Sequence, residues 1–152
     1  MCSSDLFPSH DNGGSVTNSN CGSVRVYQYN DISWIQLGQD IDGEYDGDNA
    51  GRSVALSSDG RIVAIGAIGN DGNGISSGSV RVYQYNYISN TWSKIEQDID
   101  GEAAGDLAGY SISLSSDGSI IAIGAYSNDG NGNNSGSVRL YKFQNSNTNT
   151  IS

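Results

Sequence analysis

Residues 22–30 and 78–86 both read GSVRVYQYN, and a looser copy, GSVRLYKF, begins at Gly136. Four other segments also recur, and each second copy begins 58 residues after the first (97 − 39 = 58). They are QDIDGE at 39–44 and 97–102, LSSDG at 56–60 and 114–118, AIGA at 64–67 and 122–125, and NDGNG at 70–74 and 128–132. The nonapeptide copies lie two residues closer together, so the extra residues follow Asn86, where a loop tolerates a change of length. A chain that repeats itself this closely is expected to form structural units that stack on one another.

Each repeat predicts four β-strands separated by turns. In the one full repeat the strands are predicted at 52–57, 61–67, 79–86 and 91–99. The second of these is apolar on both of its faces, with Ile62 and Ala64 on one and Val63 and Ile65 on the other. A strand that is apolar on both sides is buried on both sides. Each four-stranded sheet should therefore lie between two neighbouring sheets.

This pattern predicts an all-β fold, a β-propeller fragment of about two and a half four-stranded antiparallel blades. The 21 glycines suit many tight turns, and no stretch sustains a helical period. A β-sandwich of duplicated hairpins is the alternative, and a β-solenoid would have shorter coils. The predicted segments are an irregular N-terminal segment (1–21), a partial blade with the third and fourth strands (22–50), a complete blade (51–108), a partial blade with the first three strands (109–144) and a disordered tail (145–152).

The repeats also resemble a known family. AGRSVALSSDGRIVAIGAIGNDGNGISSGSVRVYQYN and AGYSISLSSDGSIIAIGAYSNDGNGNNSGSVRLYKF are similar to the FG-GAP repeats of integrin-α-type β-propellers, with Ile-Gly-Ala ending the second strand and Gly-x-Val-x-Val/Leu-Tyr in the third. The resemblance implies a non-catalytic binding or adhesion module, extracellular or at the cell surface. Many such blades carry a calcium loop between the first two strands. Here that connection is only SSDG, and one carboxylate, Asp59 or Asp117, cannot hold calcium. Asp-Gly at these places is instead typical of a turn.

The formal net charge of −10 restricts the partners. Repulsion from phosphates disfavours nucleic acid, and the same repulsion disfavours an anionic membrane surface. No apolar run approaches the length of a membrane span, so no membrane insertion is expected. Divalent cations and basic protein surfaces fit this charge better. The alternative is that the acidity only keeps a glycine-rich β protein soluble.

Most of the acidic residues are predicted to share one end of the blades. In an up-and-down blade, the loops after the second and fourth strands lie at one end and the turns after the first and third lie at the other. The loop end receives eleven of the 17 acidic residues: Asp40, Asp42, Glu44, Asp46, Asp48, Asp71, Asp98, Asp100, Glu102, Asp106 and Asp129.

Two groups within that set have the spacing of half a calcium loop. They are the candidate metal ligands, with calcium as the candidate ion: Asp40, Asp42 and Glu44, and Asp98, Asp100 and Glu102. The alternative is that Asp and Asn side chains only satisfy the backbone of soluble connecting loops.

Few residues suit catalysis. The only histidine is His10, and the two cysteines, Cys2 and Cys21, lie outside the clear repeats, where they could pair in an oxidising compartment. No catalytic residue is therefore expected, although carboxylate pairs leave a glycosidase or lyase as a weaker alternative. Trp34 and Trp92 occupy equivalent places, and packing between blades explains them better than ligand stacking.

Together these observations predict a non-catalytic binding or adhesion module of a larger propeller. It would engage a protein or glycan partner through its acidic loop end. The alternative is that these are purely structural blades of a secreted or surface protein whose function lies in other domains. Four blades, the fewest in a propeller, would need more residues than 152. The chain is thus expected to be a piece of a longer propeller or a subunit that associates with itself through exposed blade edges.

Overall fold

Residues 20–143 are described by a computed structural model, and they form nine β-strands. The strands are β1 (Ser23–Tyr29), β2 (Trp34–Asp42), β3 (Ala50–Leu56), β4 (Ile62–Ala67), β5 (Ser79–Asn86), β6 (Thr91–Asp100), β7 (Ser111–Leu114), β8 (Ile120–Ala125) and β9 (Ser137–Lys142). Within this part of the chain there is no helix, and hence none that could cross a membrane.

The strands form three antiparallel sheets in chain order. Sheet 1 contains β1 and β2, sheet 2 contains β3 to β6, and sheet 3 contains β7 to β9. Every strand predicted in the full repeat is confirmed with its ends moved by at most two residues. The all-β fold of propeller-type blades is therefore confirmed, and the blades do not close into a ring. The predicted disordered tail, most of the irregular N-terminal segment, His10 and Cys2 lie outside the described residues.

Sheet 2 is buried on both faces, as the composition of its second strand predicts. Val63 and Ile65 of β4 pack with Val26 and Ile41 of sheet 1. On the opposite face of β4, Ala64 packs with apolar residues of sheet 3, among them Ile121 and Ile123. The middle sheet therefore has a neighbour on each side, which is the arrangement of stacked blades.

The linker from sheet 2 to sheet 3 passes in close backbone contact with the residues that lead into β5, the third strand of sheet 2. Backbone hydrogen bonds join Ala108 to Ser77 at 2.9 Å and Gly101 to Gly78 at 2.8 Å. Gly78 has a φ of +75°, and a Cβ at this position would clash with the carbonyl oxygen of Ala108. Glycine is required here for both reasons, the left-handed backbone and the contact. Gly22 repeats this geometry against Ala50.

Aromatic residues of the third and fourth strands pack between sheets, which confirms the packing interpretation for Trp92. Its side chain is 4% exposed, and its indole N–H donates to the carbonyl oxygen of Leu37 in sheet 1 at 2.8 Å. Tyr85 is buried beside it, with ring centroids 5.1 Å apart. Trp34, the equivalent residue of sheet 1, is exposed.

The two Asp-Gly turns are built as the sequence predicts. Oδ1 of Asp117 accepts from the Ser115 hydroxyl at 2.6 Å and from the backbone N–H of Ser119 at 3.0 Å. These hydrogen bonds lower the pKa of the Asp117 carboxyl to about 2, since they stabilise its ionised form. Asp59 makes the equivalent bonds to Ser57 and Arg61. Both carboxylates thus stabilise turns.

Substitution of Gly78 tests the linker crossing. Gly78→Ala combines a left-handed alanine with a backbone clash, so we expect it to lower the free energy of unfolding by about 2–5 kcal/mol. Gly60 is the matched control, because its φ is +70° and a Cβ added there would have open space for 4 Å around it. Gly60→Ala should cost only about 1–2 kcal/mol. Urea unfolding of both variants measures the difference, and equal losses would argue against the crossing as a constraint.

Candidate functional site

In each repeat, the loops that follow the second and the fourth strand were predicted to lie at one end of the molecule. The linker after β2, the loop after β4 and the end of β6 meet there and enclose an acidic cleft of about 280 Å³. One wall is the linker between sheets 1 and 2, the other is the loop that follows β4, and the end of β6 forms the floor. The acidic cleft is lined by Glu44, Tyr45, Asp46, Asp48, Asn70, Asp71, Gly72, Asp98 and Asp100. It therefore brings together two repeats of the chain.

Two of the lining carboxylates hold the loops in shape. Asp48 is buried, and its Oδ2 accepts from the backbone N–H groups of Glu44 and Tyr45, each at 3.1 Å. The Asn70 amide donates to the same oxygen at 3.4 Å, which ties the linker to the neighbouring loop. Asp71 accepts from the backbone N–H of Ser76 at 2.7 Å. For these two residues, the interpretation as connectors that satisfy loop backbone is confirmed.

A buried arginine crosses from sheet 2 to the linker beneath the acidic cleft. Arg81 is 2% exposed, and its Nη1 lies 3.5 Å from Oε1 of Glu44. Lys94 lies 3.7 Å from the same oxygen and 2.7 Å from Oδ1 of Asp98. The next repeat contains the same ion pair, Arg139 with Glu102 at 3.6 Å, with both partners more exposed. Glu44 therefore holds the linker to sheet 2 electrostatically.

The six predicted metal ligands lie in three places. Glu44, Asp98 and Asp100 meet in the acidic cleft, although the sequence spacing grouped them in different repeats. Asp40 lies on sheet 1, where it pairs with Arg25 at 2.7 Å. That hydrogen bond to Arg25, with a second from Gln36, lowers the pKa of Asp40.

Of the remaining two, Asp42 ends β2, so it also lies on sheet 1, and Glu102 lies at the next junction between sheets. Within residues 20–143 no three His, Cys, Asp or Glu side chains are placed to hold a metal ion. Calcium binding stays a prediction.

The acidic cleft carries more negative than positive charge. Six carboxylates line it, and among the residues that the structure describes two cationic side chains, Arg81 and Lys94, pair with them. At its floor, burial raises the pKa of the Asp100 carboxyl, and the nearby charge of Asp98 raises it further. A raised carboxyl pKa means that the site disfavours its own negative charge. A bound cationic group would relieve that cost.

Tyr45 and Asp46 distinguish this cleft from the next repeat. The linker reads EYDGD at 44–48 and EAAGD at 102–106, so Ala103 and Ala104 replace the tyrosine and the aspartate. Tyr45 is exposed on the rim, and Oδ1 of Asp46 lies 3.4 Å from the sulfur of Cys21. Tyr45 is not among the residues predicted from the sequence. The difference between two otherwise similar loops was the signal that could have found it.

A larger groove of about 350 Å³ lies between sheets 2 and 3. Its lining is mostly apolar and includes Val82, Ile95, Leu114 and Tyr141. Val82, Leu114 and Tyr141 belong to the packing between the two sheets. The titratable side chains of the groove are Glu96, Tyr141 and Lys142, whereas six carboxylates line the acidic cleft. The acidic cleft is therefore the stronger candidate for recognition.

Comparison with known proteins identifies the repeat. A family model described as FG-GAP repeat matches residues 99–141, from the end of β6 through most of β9. No curated protein matches the chain. The repeat before the matched segment contains the same strands, loops and ion pair. Its QDIDGE and LSSDG segments begin 58 residues before the copies in the matched repeat (97 − 39 = 58).

Removing the charge of Glu44 tests the buried ion pair. Glu44→Gln leaves Arg81 in a buried place without this acidic partner, so we expect a loss of about 1–3 kcal/mol in the free energy of unfolding. Glu102→Gln is the matched control, because both members of its pair are solvent-accessible, and it should cost less than about 1 kcal/mol. Chemical denaturation provides the measurement. Similar losses in the two variants would contradict a special role for Arg81.

Asp100→Asn tests the electrostatic cost of the cleft floor. The folded pKa of Asp100 is raised, so the penalty is absent below the unfolded value of about 3.9 and grows as pH rises through the folded value. The variant should therefore be more stable than the wild type at pH 7 and close to it at pH 3. Urea midpoints at the two pH values measure this. A variant that is less stable at pH 7 would contradict the prediction.

Proposed function

We propose that this chain, which carries an FG-GAP repeat at residues 99–141, is a non-catalytic binding module of a larger propeller, acting outside the cell or at its surface. Its partner is a protein that presents a basic segment to the acidic cleft. The observation that carries the proposal is the convergence of six carboxylates from two repeats. Even without Asp46, five of them outnumber the two basic side chains, Arg81 and Lys94, that pair with them among residues 20–143. The family implies an adhesion or binding role, and the chain's net charge of −10 favours a basic partner.

Tyr45 makes the acidic cleft suitable for an arginine or lysine side chain. Its ring is exposed at the rim, beside Asp46 and Asp71. A cation placed over an aromatic face and next to carboxylates gains from both contacts. The chain already stacks arginine on tyrosine elsewhere, as Arg52 lies 4.3 Å from the centroid of Tyr110. A glycan could use the same ring, but it would gain little from the excess of negative charge.

Calcium is the other candidate ligand for this end of the molecule. Of the six predicted ligands, Asp40, Glu44, Asp98 and Glu102 have basic partners within 4 Å, so an ion would have to compete with arginine and lysine. Calcium also requires six to eight oxygens. A single guanidinium or ammonium group requires fewer oxygens than calcium does, and we therefore favour the basic segment.

A peptide titration followed by residue-resolved NMR tests the proposal. The probe is the capped peptide Gly-Arg-Gly-Arg-Gly, and the same peptide with glutamine in place of arginine is its control. We expect saturable shifts of the backbone amides of Tyr45, Asp71 and Gly72, which weaken as salt is added. Shifts spread evenly over all acidic loops, or an equal response to the glutamine peptide, would contradict the proposal.

The double variant Tyr45→Ala/Asp46→Ala turns the first linker into the second, EAAGD. The second repeat folds with that sequence, so the variant should fold, which circular dichroism checks. Loss of the ring and of one carboxylate should weaken arginine peptide binding roughly 5–10-fold. A calcium chloride titration of the wild type forms a separate arm. Saturable cleft shifts with calcium and none with the peptide would replace the basic segment with an ion.

A further inference from the structure

The two outer sheets of the described chain each present an apolar surface to solvent. The front face, on sheet 1, consists of Tyr27, Tyr29 and Trp34, which are 48%, 52% and 69% exposed. The back face, on sheet 3, consists of Ile120, Val138 and Leu140, the last 69% exposed. Such apolar patches on a small protein usually mark a contact surface.

The interior of the molecule shows what covers a front face. The residues of sheet 2 equivalent to Tyr27, Tyr29 and Trp34 are Tyr83, Tyr85 and Trp92. All three pack against sheet 1, in one cluster with its Val24 and Val26. A front face is therefore covered by the valines of a preceding third strand.

The interior also shows what covers a back face. The residues of sheet 2 equivalent to Val138 and Leu140 are Val80 and Val82. Val80 is fully buried, and both pack in the cluster that contains Ile121, Ile123 and Tyr141 of sheet 3. A back face is therefore covered by the front of the following sheet, which includes a tyrosine equivalent to Tyr27.

We propose that copies of this chain stack head to tail, with the front face of one copy on the back face of the next. The occupant of each exposed face is thus a second copy, which repeats the contact that sheets 1 and 2 and sheets 2 and 3 already make. The front face already has the arrangement of a buried one. The ring centroids of Tyr29 and Trp34 lie 5.5 Å apart, close to the 5.1 Å between those of Tyr85 and Trp92. Copies that stack in this way and close into a ring would themselves form a larger propeller.

Head-to-tail contacts have a consequence for the size of the assembly. The two faces are different surfaces, so the contact is heterologous. Two copies with three sheets each would use all four faces if they close into a ring of six sheets, and otherwise leave one front face and one back face unused. Assembly therefore proceeds to a closed ring or an open chain of copies. This inference does not rest on the proposed function, because the acidic cleft contributes no residue to either face.

Light scattering after size exclusion tests the stacking on the 152-residue chain. The monomer mass is 15.9 kDa. Over a series from about 1 μM to about 1 mM, we expect the mean mass to rise from that of the monomer to that of a two-copy ring or of a longer chain of copies. A constant monomer mass over the whole series would overturn the proposal.

Two single variants then separate head-to-tail stacking from other modes. Leu140→Asp blocks the back face, and Trp34→Asp blocks the front face. Both side chains are largely exposed, so the folded sheets should be retained, which circular dichroism checks. Each variant alone should remain a monomer. An equal mixture should form dimers of twice the monomer mass, because one intact front face meets one intact back face.

The control is Ile88→Asp, since Ile88 is 99% exposed in the turn after β5 and belongs to neither face. This variant should assemble like the wild type. Loss of assembly in Ile88→Asp would indicate nonspecific association and overturn the proposal. A mixture of the two blocking variants that stays monomeric would overturn it as well.

Discussion

The burial of β4 on both sides is the constraint on which the rest of the structure depends. Val63 and Ile65 are buried because sheet 1 covers one face of β4, and Ala64 is buried because sheet 3 covers the other face. Burial of apolar area is the main source of stability in such a domain. Stacking is therefore a condition of folding, and the glycines at each linker crossing allow the chain to step from one sheet to the next within the required spacing.

The acidic cleft follows from this stacking. A linker leaves sheet 1, passes the loop that follows β4 and enters sheet 2, so acids that are distant in sequence become neighbours. Arg81 lies in the buried layer between these sheets, and a buried guanidinium requires an acidic partner. Glu44 provides it from the linker. The acids at this end thus fall into two classes: some stabilise the loops and the sheet contacts, and the others give this end its negative charge.

Much of the fold was predictable from the sequence because its signals are local. Strand period, two-sided apolar strands and Asp-Gly turns depend on a few adjacent residues, and the structure confirms them. The grouping of the carboxylates was not predictable in this way. Spacing along one strand placed Asp40 with Glu44, whereas an irregular register between β1 and β2 and the turn into the linker separate them, and Asp40 pairs with Arg25. The recurrence of one arginine in all three third strands, in a chain with seven basic residues, was an available signal for Arg81.

The contact between Asp48 and Asn70 recurs between Asp106 and Asn128, although the residues just before the two aspartates differ. The contact between the aspartate and the asparagine is therefore constant. The residues that differ, Tyr45 and Asp46 in one copy and Ala103 and Ala104 in the other, vary without changing the blade. Duplication of such a unit produces copies that share a scaffold and differ in the side chains they expose. In this respect the linker behaves as a hypervariable segment does on an immunoglobulin domain, with its diversity confined to positions that the fold does not require.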